Sequence, residues 1–458
     1  MKHVAVIDLG KTNAKLALVD LAARAEIAVL TTPNRVLPGP PYPHFDTEGI
    51  WEFLTSALRQ FQTDHGIDGI SITTHGACAA FLAADGSLAA PVRDYEHHGP
   101  DYQRAAYDRL RPPFAETGSA ALPMGLNLGA QLHWQLQQDP GLRSRTAQIV
   151  TWPQYWGFRL TGQTACDLSS LGCHTDLWNP ASGDWSSLPD RLDITAKMAP
   201  PRKPSDVLGI LTPELQRRLG LGAVPVLTGI HDSNASLVPH LSQAAPFSVV
   251  STGTWVIAMA MGGHATPLDP DRDMLVNVNA LGHPVPSARF MGGREYEIIR
   301  ENRPPIATEG DADRVLHRDL MLLPSVVPGS GPFPHNAYGW SHPDRSDAET
   351  EVALGYYLAL MTAECLANIG AEGPTLIEGP FAANLWFRSM LAAATDRPAL
   401  ASAARTGTAV GAAMLFLPQG GPGSAEPTTA ALAPAPALAA PALAAYARRW
   451  SKLAKAGL

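Results

Sequence analysis

Apolar and polar positions in the first thirty-odd residues fall into three short extended runs. HVAVIDL from His3, KLALVD from Lys15 and EIAVLTT from Glu26 are rich in the aliphatic and β-branched side chains that suit a pleated, half-buried surface. Short polar breaks separate them, so a meander of strands is predicted. After Asp46 the period changes: Ile50, Phe53, Leu54, Ala57, Leu58 and Phe61 recur at helical spacing and form one apolar stripe. GISITT, residues 69 to 74, then reads as a strand of buried type. Hairpins followed by helix and strand predict an α/β lobe.

The outline returns about 240 residues later, where FSVVSTGTWVIAMAM, from Phe247 to Met261, again gives strand, Gly-containing turn and strand. Two such units predict two lobes, each presenting one hairpin turn to a shared cleft, and clefts between domains are where small ligands bind. The boundary is expected near residues 240 to 246, at the SQAAP stretch, giving a first lobe over 1–242 and a second over 243–418. Residues 419–458 read as an Ala/Pro/Gly-rich linker and a closing helix from Leu443 to Lys455.

Composition supports this division. A chain of 458 residues exceeds what one core usually supports, and 45% hydrophobic with 17% charged residues is ordinary globular composition. The formal charge is −8 and no dense Lys/Arg run precedes the final Ala-rich segment, which argues against nucleic acid as a partner. Met1 to Asp8 runs directly into a strand, and the Ala-rich stretch is cut by Pro434, Pro436 and Pro441, so neither an export leader nor a membrane span is expected. Cys78, Cys166, Cys173 and Cys365 are too scattered for a disulfide framework or a zinc site and read as buried thiols of a cytoplasmic protein.

Four segments carry candidate chemistry. The first is Asp8-Leu9-Gly10-Lys11-Thr12-Asn13-Ala14-Lys15, a tight turn whose N–H groups and hydroxyls suit phosphate and whose carboxylate suits a metal. A P-loop reading fails, because the required earlier glycine is Ala5 and a strand, not a helix, follows. In the second, Thr228 to Ala235, Asp232 stands at a strand-to-helix junction between His231 and Ser233. There it is either a helix cap or the carboxylate that accepts a hydroxyl proton during phosphoryl transfer. The third is the second hairpin turn, Ser251-Thr252-Gly253-Thr254-Trp255. The fourth, Ile377 to Asn384, leads from a strand into an apolar helix, with Asn384 either capping that helix or meeting an adenine edge.

Taken together and in this order, these segments resemble the FGGY family of carbohydrate kinases, relatives of hexokinase and actin, from Asp8 to about Leu415. The His231-Asp232 pair and STGTW at 251 to 255 are most similar to its rhamnulokinase and fuculokinase branch. The resemblance implies an α/β, two-lobed actin-like ATPase (ribonuclease H-like) fold, each lobe a mixed sheet flanked by helices, with the active site in the interlobe cleft. It implies ATP- and Mg2+-dependent phosphorylation of a ketose of the L-rhamnulose or L-fuculose type. Pentulose or polyol kinases (xylulose, ribulose) are the alternative within the family, and a non-catalytic or ATPase-type sugar sensor is the alternative of another class. The implied partner is a small sugar, with neither nucleic acid nor membrane, and a homodimer is expected on base rates.

Position by position, the resemblance makes Asp232 the catalytic base and, with Asp8, a metal-side carboxylate. Gly10, Lys11, Thr12, Asn13 and Lys15, with Thr252, Gly253, Thr254, Gly379 and Asn384, are implied nucleotide contacts. His75, Gly76, Asp94, His231 and Ser233 are implied sugar contacts. MGGREYE, from Met291 to Glu297, replaces an Asn-containing substrate stretch of the family, so Arg294 and Glu295 are implied specificity residues. Two departures stand out. Lys11 occupies a position that usually holds Thr or Ala, and Gly379-Pro380-Phe381 replaces three glycines, narrowing the backbone's freedom.

Overall fold

In the computed structural model of the chain, residues 1–301, 307–402, 407–418 and 440–457 are described. The chain divides into two units. The first comprises Met1–Ser242 and Val276–Pro284 together with the described residues 407–418; the second comprises Gln243–Leu275, the described part of 285–402, and 440–457. Two later stretches thus return to the first unit, and the closing helix belongs to the second; local sequence patterning carries no mark of either. The stretch expected as a linker lies outside the described residues over 419–439.

The first unit is organised on a seven-stranded mixed sheet. Its strands are β1 (His3–Leu9), β2 (Asn13–Asp20), β3 (Ala25–Pro33), β4 (Gly69–Thr74), β5 (Val207–Ile210), β6 (Pro225–Leu227) and β7 (Ile230–His231). The order is β5-β6-β4-β1-β2-β3, with β7 also paired to β4. The predicted meander is present, since β1, β2 and β3 pair antiparallel in succession. β1 and β4 run parallel, and every residue of β4 is buried, as its lack of a charged face requires.

The predicted helical stripe belongs to a helix over Thr47–His65, with Asp46 accepting a hydrogen bond from the Gly49 N–H and Gly66 ending it at φ 77°. Ile50, Leu54, Ala57, Leu58 and Phe61 are buried in the same apolar cluster as Ile7, Leu16 and Ile72 of the sheet, while Phe53 is partly buried. Each fully buried side chain of leucine size contributes roughly 1.5–3 kcal/mol to that packing.

The second unit has a six-stranded mixed sheet. Its strands are β8 (Phe247–Thr252), β9 (Val256–Met261), β10 (Met274–Val278, of which Met274 and Leu275 fall in this unit), β11 (Pro284–Phe290, in this unit from Val285), β12 (Thr375–Glu378) and β13 (Ala399–Ala401), in the order β10-β11-β9-β8-β12-β13. The helix Asp347–Asn368 begins in a reciprocal capping box between Ser346 and Glu349. The closing helix, Ala440–Ala456, is docked on this unit: the Trp450 indole N–H donates to the Leu322 carbonyl at 2.7 Å and the Tyr446 hydroxyl to that of Leu320 at 2.7 Å. All four cysteines are free and buried. Among the described residues no helix is long and apolar enough to cross a membrane.

Candidate active site

The first turn is built by the sheet itself. Antiparallel pairing sets Asp8 opposite Lys15, whose ammonium lies 3.1 Å from Asp8 Oδ2 and 3.1 Å from Glu26 Oε1. Burial pulls the Lys15 ammonium down, and the two carboxylates more than offset it, leaving its pKa above the ordinary value. The Gly10 N–H donates to the Asn13 carbonyl at 3.0 Å, closing the turn, and Asn34 holds it from behind by donating to the carbonyls of Gly10 and Thr12. Thr12 and Asn13 remain exposed at the tip.

A residue that sequence reasoning missed completes this corner. The Thr408 hydroxyl donates to Asp8 Oδ2 at 2.7 Å from a helix over Thr408–Met414. That helix approaches so closely that a side chain at Gly411 would fall 1.9 Å from the Ala235 carbonyl. Its small-residue run, TAVGAAM, is the one local sign of close approach, and nothing in it points to Asp8.

β4 and β7 bring the other functional groups to the same edge. β4 continues parallel to β1, with the His75 N–H donating to the Leu9 carbonyl, and β7 pairs with β4 so that His231 stands beside Thr74. Asp8, His75 and Asp232 therefore gather at the carboxyl ends of three parallel strands, the edge at which open α/β sheets bind ligands. Asp232 is the first residue of a four-residue helical turn and does not cap it.

Asp232 keeps 31% of its side chain exposed yet sits deep enough that burial raises its carboxyl above the usual range, an effect opposed by His75 and the Ser233 N–H and reinforced by Asp8. Its Oδ1 accepts from the Ser233 N–H at 2.6 Å, and the exposed Ser233 turns its hydroxyl back to the same atom at 3.3 Å.

The His75 ring donates from Nδ1 to the Gly76 carbonyl at 2.8 Å, and burial lowers its pKa, so the ring is neutral and Nε2 is a bare acceptor. That Nε2 is buried and has no hydrogen-bond partner among the described residues.

His231 is buried to the same degree as His75. Its ring is buried over Gly76, where a Cβ would lie 2.9 Å from Nε2, and burial lowers its pKa to about 4. With the Asn234 amide nitrogen donating to Nδ1 at 3.4 Å, the ring's proton is on Nε2, 3.2 Å from Asp232 Oδ1. Behind it, the Ser169 hydroxyl accepts from the His231 N–H at 3.0 Å and donates to the wholly buried Asp167. Gly76, partly exposed, thus leaves space for the His231 ring.

Lys11 is held in an ion-pair cluster beside the first turn. Its ammonium pairs with Asp94 and lies 3.2 Å from Glu96, over the rings of Phe45 and Tyr95 at 5.2 and 4.9 Å. Those two rings also flank His75, each at 5.3 Å.

In the second unit the β8–β9 turn exposes Gly253 and Thr254. Thr252 points inward: its hydroxyl donates to the Glu378 carbonyl and accepts from the Phe381 N–H at 3.1 Å, which removes its side chain from the expected phosphate set. Gly379, at φ 82°, passes so close that a Cβ would fall 2.0 Å from the Thr252 carbonyl. Asn384 caps the helix Leu385–Thr395 by accepting from the Phe387 N–H at 3.0 Å.

Arg294 is exposed and pairs with Glu297 at 3.3 Å. Glu295 corrects the specificity assignment. It is fully buried, accepting from the Val327 N–H at 3.1 Å and the Tyr357 hydroxyl at 3.0 Å, and burial raises its carboxyl to about 7. Helix phase explains this, because Gly292 and Glu295 share the inward face of Gly292–Arg300.

Residues 3–239 match the model for the N-terminal domain of the FGGY family of carbohydrate kinases, and residues 244–426 match a C-terminal domain model of carbohydrate kinase FGGY. The crystal structure of a carbohydrate kinase from Novosphingobium aromaticivorans is similar over 99% of both chains, at 36% identity and a TM-score of 0.89. Ligand-bound xylulose kinase from Lactobacillus acidophilus shares the fold, with a TM-score of 0.72 at 17% identity over 91% of this chain and 89% of that one. L-Fuculokinase of Haemophilus influenzae is 26% identical over 57% of this chain and 58% of its own length. Xylulose kinase of Escherichia coli is 24% identical over 54% and 52%. The chain thus spans a little over half the length of the curated relatives it matches. With two family models covering both units in order along most of the sequence, this chain belongs to the FGGY family of carbohydrate kinases.

Proposed function

We propose that this protein transfers the γ-phosphoryl group of ATP to a hydroxyl of a ketose or closely related polyol, with Asp232 as general base. The observation that carries this reading is the gathering of Asp8, His75 and Asp232 at three adjacent strand ends, where Asp232 is partly exposed and His75 Nε2 is a buried acceptor without a partner. A sugar hydroxyl donating to His75 Nε2 satisfies that orphan, and a second hydroxyl, lying against Asp232, loses its proton to the carboxylate as the phosphoryl group arrives. The Ser233 N–H, donating to Oδ1 at 2.6 Å, holds the carboxylate in one orientation during this transfer, with the His231 ring packed beside it.

The donor set also suits magnesium. Among the described residues no cluster of three or more His, Cys, Asp or Glu forms a dedicated metal cage, but Mg2+ in phosphoryl transfer is held by one or two carboxylates plus phosphate oxygens and water. Asp8 and Asp232, each within electrostatic reach of the other, are the carboxylates that would hold it. When bound, the ion neutralises charge on the transferring phosphoryl group. The exposed tips Thr12–Asn13 and Gly253–Thr254 are the proposed nucleotide phosphate contacts.

L-Fuculose and L-rhamnulose are the proposed acceptors, on the His231-Asp232 pair and the STGTW turn, with pentuloses next. The decisive experiment is ADP release with Mg-ATP across a panel of six-carbon deoxyketoses, pentuloses and polyols. The expected result is one preferred ketose at least tenfold above the rest. ATP hydrolysis indifferent to every sugar would overturn the reading.

A further inference from the structure

We propose that Lys11, although its backbone belongs to the first phosphate turn, is an acceptor-side specificity residue that reads a vicinal diol of the sugar jointly with Asp94. The inference rests on the kinase reading above and reassigns one of its residues.

A lysine grips nucleotide phosphate as a positive point charge, and acidic neighbours that neutralise it weaken that grip. The Lys11 ammonium is paired with Asp94 and lies 3.2 Å from Glu96, so the three groups together carry net negative charge beside the turn. A polyphosphate approaching them meets repulsion. A neutral polyol meets the opposite situation: a carboxylate that accepts from one O–H and, next to it, an ammonium that donates to the neighbouring oxygen.

The surroundings direct this pair toward the sugar. Phe45 and Tyr95 flank both the Lys11 ammonium and the His75 ring, so the cation shares its aromatic walls with the proposed sugar acceptor. Lys11 is also near enough for its charge to depress the His75 pKa. The pair is built rather than incidental, with the two side chains only 20% and 11% exposed. Asp94 is fixed at both ends, its N–H donating to the Pro43 carbonyl at 2.9 Å and its Oδ1 accepting from the Glu96 N–H at 3.1 Å. Lys11 and that N–H both address Oδ1, and the inference assigns Oδ2 to a sugar hydroxyl.

The test is a split of Michaelis constants in Lys11→Thr, Lys11→Arg and Asp94→Asn, using Mg-ATP and the preferred acceptor of the panel. Lys11→Thr and Asp94→Asn should each raise the acceptor KM about ten- to a hundredfold and change the ATP KM less than twofold. The double variant should lose much less than the product of the two, and Lys11→Arg should recover most of the affinity. A general loss of structure would move both constants and the melting temperature together. An ATP KM raised tenfold with the acceptor KM unchanged, or both constants moving in parallel, overturns the proposal. Calorimetry of ADP binding to the sugar-free protein separates this from failure of the kinase reading. If no sugar is phosphorylated, that reading falls, while a Lys11→Thr variant that binds ADP as tightly as the parent still removes Lys11 from the phosphate site, and one that binds it tenfold more weakly overturns the present inference.

Discussion

Each unit holds a carboxylate whose pKa burial has raised, and the two are built for opposite ends. Asp232 stands at the end of a parallel strand with about a third of its side chain exposed. Glu295 is fully enclosed in the second unit with the Val327 N–H and the Tyr357 hydroxyl as its donors. A raised pKa therefore does not identify a catalytic group. What supports the proposed catalytic role of Asp232 is its partial exposure together with His75 Nε2, buried nearby without a partner among the described residues.

The hairpin turns differ in the same sense. In the first, Lys15 and Thr408 hold Asp8 at the strand end, and the tip residues stay exposed. In the second, Thr252 turns inward to tie β8 to the segment after β12, leaving Gly253 and Thr254 outside.

The largest effect separating the two carboxylates should come from Asp232→Asn, which removes the proposed base while keeping size and shape. Turnover should fall about a thousandfold or more, with sugar and nucleotide affinity and melting temperature retained. In the parent, kcat/KM should decline as pH falls through a value above the ordinary aspartate range, because the raised pKa protonates Asp232 earlier; a pH–rate profile checks this. Turnover within tenfold of the parent for Asp232→Asn would make the two carboxylates equivalent and remove the base.

Glu295→Gln should act on stability instead. A carboxyl near 7 when folded and 4.5 when unfolded binds more protons in the folded state between those values, so its contribution is fully present below about pH 4.5 and is lost as pH rises through about 7. The difference amounts to about 3 kcal/mol. Denaturant unfolding of parent and variant at pH 5 and pH 8 should show that the variant lacks this decline, while kcat changes little. An unchanged pH slope would count against the assignment.

The smallest effects should divide the second turn internally. Thr252→Val leaves the Phe381 N–H without its acceptor and should cost about 1–3 kcal/mol of stability without a selective change in ATP KM. Thr254→Ala should leave the melting temperature unchanged and raise the ATP KM a few fold. Reversal of these two outcomes would exchange the roles of the two threonines.

Much of the architecture is legible from local pattern. The first three strands, the helix after Asp46, the strand over Gly69–Thr74 and the second hairpin all follow from periodicity, because burial of one face repeats every two or 3.6 residues and so is written along a single segment. Asp8 and Asp232 were legible as well, as carboxylates at a strand-to-turn and a strand-to-helix junction. Glu295 was misread because its motif position suggested substrate, although the i, i+3 relation to Gly292 already put it on one helix face. Thr408 could not be found at all, since 400 residues separate it from Asp8.

By itself, then, the chain determined which segments become strands and helices, where the two hairpin turns fall, and which carboxylates stand at strand ends, since these depend on neighbours in sequence. Tertiary structure alone decided what each polar group touches. It turned Lys11 toward Asp94, buried His231 over Gly76, drew Thr408 to Asp8 and closed Glu295 inside the second unit. The physical reason is that hydrogen bonding and charge pairing act over a few ångströms of space, and only the folded chain sets which distant residues share that space.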